Sequence, residues 1–196
     1  MKLVRIIIQK TKTIVLAVFV AVAFVPAFLF SNNVVPTQSM MPTILPGDNL
    51  IVNRIPYYGN DPEALDIVVF KENDDYIIKR VIGKPGDIID LKDGYVYVNN
   101  VKLDERVYLK AMGKTYANAD SKIQYPFTVS ENCYFVLGDN REKSNDSRVL
   151  GEIKRENIIA RAEYRIYPLD RWGNLEKPES NINQAGQDNT STPEAK

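Results

Sequence analysis

Histidine is absent from the whole of this 196-residue chain, and that absence settles several chemical questions at once. A Ser-His-Asp triad needs an imidazole as its general base, so it is excluded. A cysteine-histidine transpeptidase is excluded for the same reason. Cysteine is nearly missing too: Cys133 stands alone, so no disulfide can close within the chain and no thiol-rich metal site can be assembled. It lies in the apolar stretch CYFVL and reads as a small buried hydrophobe. Net charge is also lacking, because 25 basic residues balance 25 acidic ones. No global field draws the chain to nucleic acid, and no long basic patch supplies a local one. There is no internal repeat.

What is present begins with an apolar run. Lys2, Arg5, Lys10 and Lys12 precede TIVLAVFVAVAFVPAFLF, eighteen uncharged residues from Thr13 to Phe30. As a helix rising ~1.5 Å per residue that segment is about 27 Å long, close to the roughly 30 Å hydrocarbon core of a bilayer. Four positive charges lie before it and no charge follows until Asp48, so the positive-inside rule puts the N-terminus in the cytoplasm and the rest outside. A cleavable export signal has the same basic start. Its apolar core is typically ~7 to 15 residues and ends in a small-x-small site; here the only such triplet, Ala21-Val22-Ala23, is in the middle of the run. The expectation is a cytoplasmic basic segment over 1–12 and one uncleaved transmembrane anchor over 13–31, kinked or ended by Pro26.

Beyond it the pattern shifts to short apolar segments between turn residues. DIVVF (66–70), polar KENDD and YIIKRVI (76–82) read as a hairpin. GKPGD leads into IIDL, Asp93-Gly94 into YVYV, and Asn99-Asn100 into VKL. CYFVL and IIARAEYRIYP (158–168) add two more strands. Residues 104–132 carry no sustained period and read as irregular. From Trp172 the composition turns polar, which predicts a disordered tail over 172–196. The fold class is therefore mainly β and antiparallel, with the folded extracytoplasmic domain over 32–171 behind one N-terminal transmembrane helix.

Ser39 stands in VVPTQSMMPT, between methionines and a proline. If it is a nucleophile, its base must be a carboxylate, a tyrosine or a lysine. A lysine near its free pKa of about 10.4 is useless at neutral pH, but burial can lower that value by several units. Lys79 is the lysine the pattern pushes into apolar surroundings: in YIIKRVI it shares a strand face with Ile77 and Val81, and Arg80 shares the other with Ile78 and Ile82. Lysines such as Lys71, Lys92 and Lys143 lie in polar turns. An edge-strand lysine that snorkels to water is the competing reading. The stretch LGDNREKSNDSRVLG (137–151) packs carboxylates, guanidiniums and hydroxyls into one loop, either a solvated turn or a fixed network in which Asp146 and Arg148 pair.

Together these residues resemble the bacterial type I signal peptidases, in the compact single-anchor Gram-positive form. The match runs in order along roughly the first 170 residues: basic start and anchor, SMMPT with LPGD after it, DIVVF, IIKRVIGKPGD, and GDNREKSNDSR. The resemblance implies a membrane-anchored serine endopeptidase of precursors that carry signal peptides, with an antiparallel catalytic sheet and a smaller inserted β subdomain around 90–132. It implies Ser39 as nucleophile, Lys79 as base, Ser144 as the hydroxyl that orients Lys79, Asp146 and Arg148 as braces, and Thr37 as a donor to the oxyanion hole. No metal or cofactor is implied; the partners are precursor proteins and the lipid bilayer, and the expected state is a monomer. Gln38, Ile44 and Leu65 depart from the pattern, the last standing where glycine is common before Asp66. A cytosolic self-cleaving repressor shares this chemistry but would need a DNA-binding region. A non-catalytic anchored β module would tolerate the loss of Ser39 and Lys79.

Overall fold

A computed structural model of the chain describes residues 9–20, 30–109, 114–118, 121, 123–175, 177–179 and 181. Twelve antiparallel strands lie in two sheets among these residues. In the larger sheet the order is β1 (Phe30–Val34), β2 (Asn49–Asn53), β11 (Ile158–Tyr167), β3 (Ile67–Glu72), β4 (Asp75–Gly83), β9 (Cys133–Leu137) and β10 (Ile153–Lys154), with β12 (Gly173–Asn174) paired to β11. The smaller sheet runs β7 (Val101–Lys102), β6 (Tyr95–Val98), β5 (Ile88–Lys92) and β8 (Phe127–Thr128). The mainly β, antiparallel class read from the sequence is the observed one.

Local chemistry accounts for the turns. Asp93 and Gly94 have φ of 53° and 82°, and Asn99 and Asn100 have 53° and 64°. Two consecutive positive φ values match the right-handed twist of a hairpin, and Asn, Asp and Gly adopt them at least cost. The β3–β4 hairpin turns between Glu72 and Asp75 with Asn73 at φ 55°. Alternation along β3 splits its side chains between two cores. Ile67 and Val69 join Leu50, Val52, Ala160 and Ala162 on one face, while Val68 and Phe70 pack with Val81, Tyr134 and Val136 on the other. A third cluster, including Leu65, Ile82, Ile89, Val96 and Phe135, joins the two sheets.

Three segments differ from the plain reading of the sequence. β1 starts at Phe30, inside the last residues assigned to the anchor. Residues 9–20 are helical and form α1, with Ile14, Leu16 and Phe19 62–67% exposed, and residues 21–29 of the expected anchor lie outside the described residues. No helix among the described residues is long and apolar enough to cross a membrane. Within 104–132, which carry no period, the described residues include a short helix, α2 (Arg106–Leu109), before β8.

At the C-terminal end, part of the polar segment is held down. The Leu175 amide donates to the Glu163 carbonyl at 2.8 Å and its side chain joins the core. Lys177 reaches Glu63 and Asp66 at 2.7 and 2.9 Å. Asn181 donates to the Lys102 carbonyl and accepts from the Asp104 amide. One buried leucine and a few well-placed polar partners outweigh the general composition there. Residues 182–196 of the expected tail lie outside the described residues.

Leu65 takes φ 67°, the left-handed region where a side chain costs ~1–2 kcal/mol. It is fully buried, and burying a leucine stabilises by about 1.5–3 kcal/mol. The Val81 carbonyl and the Arg80 guanidinium hold its peptide groups at 2.8 and 3.0 Å. The position thus suits glycine for conformation, and this chain fills it with leucine for packing.

Candidate active site

Ser39 lies on the loop between β1 and β2. Tight turns shape that loop: the Met41 amide donates to the Gln38 carbonyl at 3.1 Å and the Ile44 amide to the Met40 carbonyl at 2.9 Å. Met40 and Ile44 are 1% and 0% exposed and anchor it in the core. The apolar residues around the serine therefore act first as packing. Ser39 is itself buried, and the Thr37 hydroxyl is 3.3 Å from its Oγ.

Lys79 comes from β4 and meets Ser39 there, with Nζ 2.8 Å from Ser39 Oγ. It also donates to the Ile78 carbonyl at 2.9 Å. Its exposure is 3%. Loss of hydration lowers its pKa from 10.5 to about 8, against the opposing pull of the Asp146 and Asp139 carboxylates. About one-tenth of the lysine is then the neutral amine at pH 7, since each unit of pKa is a tenfold ratio. A neutral amine within hydrogen-bond reach of a hydroxyl can accept its proton. The lysine does not snorkel.

The late loop, between β9 and β10, packs against this pair. The Asn140 amide donates to the Ser39 carbonyl at 3.0 Å, and its side-chain amide donates to the Gln38 carbonyl at 3.1 Å. Asp146 caps the short helix α3 (Ser147–Leu150). It accepts from Arg148 Nε and Nη2 at 2.8 and 2.9 Å and from the Gly138 amide at 3.0 Å. Arg148 also donates to the Arg141 carbonyl, so the two brace each other and the loop. Ser144 is near but is not hydrogen-bonded to Lys79; its Oγ is buried without a partner, beside Gly138.

Gly138 is the tight point. A Cβ built there would lie 2.1 Å from Ser144 Oγ and 2.5 Å from the Ser39 carbonyl oxygen, closer than real contacts allow. Gly138→Ala is expected to push the Ser39 peptide away from Lys79 and to lower kcat/KM by about 100-fold, the usual cost of a misplacement near 1 Å. Steady-state kinetics beside a thermal melt checks this, with the fold weakened by the ~1–3 kcal/mol usual for overpacking and still intact at the assay temperature.

Two groups of residues that sequence reasoning did not single out also hold the site. Arg80, fully buried, donates to both oxygens of fully buried Asp139 at 2.9 and 2.7 Å. The Thr43 hydroxyl, from the serine loop, donates to the same carboxylate. On the far side of the loop, Asp48 accepts from the Leu45 amide at 2.9 Å and pairs with Arg165 and Arg171, and Arg165 donates to the Thr43 carbonyl at 2.9 Å. The signal available beforehand was Arg80 itself: an arginine inside an apolar strand requires a buried carboxylate. Each oxygen of Asp139 and Asp146 thus faces at least one donor from the chain itself.

A cleft of about 570 Å³ opens onto Ser39 and Lys79, walled by Val52, Val69, Ile77 and Ile78 among others. A buried serine beside a desolvated lysine, facing an apolar cleft, is the equipment of a hydrolase that works through a serine nucleophile. Residues 7–167 match the family described as signal peptidase, peptidase S26, and the chain belongs to it. It is a serine protease of the signal peptidase I type. It is 40% identical over 168 residues to the signal peptidase I of Bacillus caldolyticus, covering 79% of this chain and 90% of the relative. It is 39% identical over 173 residues to a probable signal peptidase I-2 of Synechocystis sp., covering 84% and 75%. A crystal structure of a signal peptidase I from Enterococcus faecalis aligns with a TM-score of 0.43 and 29% identity, over 52% of this chain and 97% of that one.

Proposed function

We propose that this protease removes signal peptides from exported precursor proteins by a Ser39–Lys79 acyl-enzyme mechanism, anchored in the membrane by the apolar run that starts at Thr13 and stops short of β1. The observation that carries the proposal is the 2.8 Å contact between Ser39 Oγ and a lysine whose pKa is near 8. Neutral Lys79 takes the serine proton as Oγ attacks the scissile carbonyl. The Ser39 amide and the Thr37 hydroxyl donate to the oxyanion. Lys79 then hands its proton to the leaving amine, and later takes one from the water that opens the acyl-enzyme. Asp146 and Arg148 hold the loop behind the pair, and Ser144, with a hydroxyl lacking a partner, is the group that would turn to Lys79 when substrate arrives.

The sheet also supplies a place for an extended peptide. β9 pairs with β4 only from Arg80 onward, so the outer edge of residues 75–79 is open beside the nucleophile. An extended strand added there gains main-chain hydrogen bonds. The anchor reading rests on the uncharged run 13–30 and the basic residues before it, which put the N-terminus in the cytoplasm and the catalytic sheet outside. Ser39 is nine residues past Phe30, and at ~3.3 to 3.6 Å per residue it can lie no more than about 32 Å from the anchor's outer end. The scissile bond of a membrane-held precursor is presented at the same height. The working unit is a monomer without a cofactor.

Incubating the detergent-solubilised protein with an exported precursor and reading the new N-terminus by mass spectrometry tests this. Cleavage is expected, with Ser39→Ala slower by at least about 10⁴-fold. Equal cutting by both, with the variant folded, would move the nucleophile elsewhere. An intact precursor with folded wild-type protein would favour the anchored binding module.

A further inference from the structure

Nine arginines fall within the described residues, and eight of them pair with a carboxylate. Arg54 is the exception. It is half-buried, its Nε is shielded from solvent and has no hydrogen-bond partner, and it lines the cleft that opens onto Ser39 and Lys79. The charged residues lining that cleft are Arg54, Lys79 and Lys143, with no carboxylate among them. A guanidinium held half out of water without a counter-ion is costly, and a ligand carboxylate that enters the cleft relieves that cost with a charge-assisted, bidentate contact.

We propose that Arg54 selects substrates by charge, pairing with an acidic side chain of the bound peptide and disfavouring a basic one at the same position. This rests on the peptidase reading above. Ser39 lies on the loop beyond the Val34↔Asn49 end of the β1–β2 ladder, and Arg54 directly beyond its Phe30↔Asn53 end. The two line one cleft from different elements, so Arg54 addresses a substrate side chain and not the scissile bond. A phosphate of the lipid surface is the other anion within reach of a membrane-bound protein. The peptide is favoured because Arg54 lines the same cleft as the nucleophile, which bound substrate fills.

The test uses soluble peptides with one cleavage site, carrying Glu, Gln or Lys in turn at each of six positions on either side of the cut, and the full-length protein in detergent. Each enzyme is read as the ratio of kcat/KM for Glu over Lys peptides, so a general loss of activity cancels. Wild type is expected to favour Glu by about 10- to 100-fold at one position, the range of a hydrogen-bonded charged pair. Arg54→Glu should reverse the preference, Arg54→Gln should flatten it, and Arg54→Lys should keep part of it; if Arg54→Glu does not fold, the other two decide. A wild-type ratio near one at every position, or a ratio unchanged in Arg54→Gln, overturns the inference while leaving the peptidase reading standing. Flat ratios together with an Arg54-dependent gain in vesicles of phosphatidylglycerol overturn it in favour of a lipid headgroup. Failure of wild type to cut any peptide overturns both readings.

Discussion

Lys79→Met is expected to lower kcat/KM at pH 8 by at least about 10⁴-fold, the upper range of what a general base contributes alone, because base and nucleophile act as a unit. Methionine keeps the length and apolar contacts of the lysine stem, so the chain should still fold. In wild type only the deprotonated amine can take the serine proton. The rate should therefore rise about tenfold per pH unit up to a pH of about 8 and level above it. A rate independent of pH between 6 and 9 would rule the lysine out as base.

The same shift has an opposite face in stability. The folded pKa of about 8 lies below the ordinary 10.5, so between those values the unfolded chain holds a proton that the folded one has released. Stability from this group thus rises with pH across that window, by about 3 kcal/mol. Below pH 8 the buried lysine must be charged and the cost is felt in full. Lys79→Met should therefore melt higher than wild type at pH 7, and the gap should close as the pH approaches 10.5. Paired thermal melts across that range read it directly.

Asp139→Asn is expected to destabilise the protein by about 3–5 kcal/mol, because it strands a fully buried guanidinium. Arg80 has no exposure and sends three of its donors to Asp139 and the Leu65 carbonyl. Its guanidinium is also stacked 4.3 Å from the Tyr108 ring, so it cannot swing out to water. A fall in Tm of roughly 10 °C follows for a chain of this size. Replacing both partners, Arg80→Met with Asp139→Leu, should recover much of that loss, since no charge is left unpaired. Activity should stay low in the double variant, because Thr43 loses the carboxylate that holds the serine loop. Recovery of stability and activity together would mean that the pair is structural only.

The strands and the Ser39–Lys79 pair were legible in the sequence for different reasons. β3, β4, β6 and β9 announce themselves by β-branched, aromatic runs bounded by turn residues, and Lys79 by its place in such a run. β2 and β12 do not: NLIVN has only three apolar residues between two asparagines, and Gly173–Asn174 has no apolar period. Both exist because β11 pairs with them, a tertiary cause invisible to a local window. The acids that hold the site were hidden in the same way. Asp139 is fifty-nine residues from Arg80, and Asp48 more than a hundred from Arg165; no spacing rule connects them. Arg54 looks in the sequence like an ordinary loop cation, and only its missing partner sets it apart.

The sheet order also dictates when the enzyme can exist. Ser39 and Lys79 are close in the chain, yet the strands that carry them are separated by β11, which pairs with β2 through Asn53↔Arg161 and with β3 through Val68↔Arg161. That strand is made after both residues and after every strand of the smaller sheet. A ribosome that has finished Ser39, Lys79 and the whole smaller sheet has still not produced the rib that sets them side by side. Contacts so distant along the chain form late, so the growing polypeptide carries Ser39 without Lys79 held beside it, and the pair is assembled only once β11 has been made.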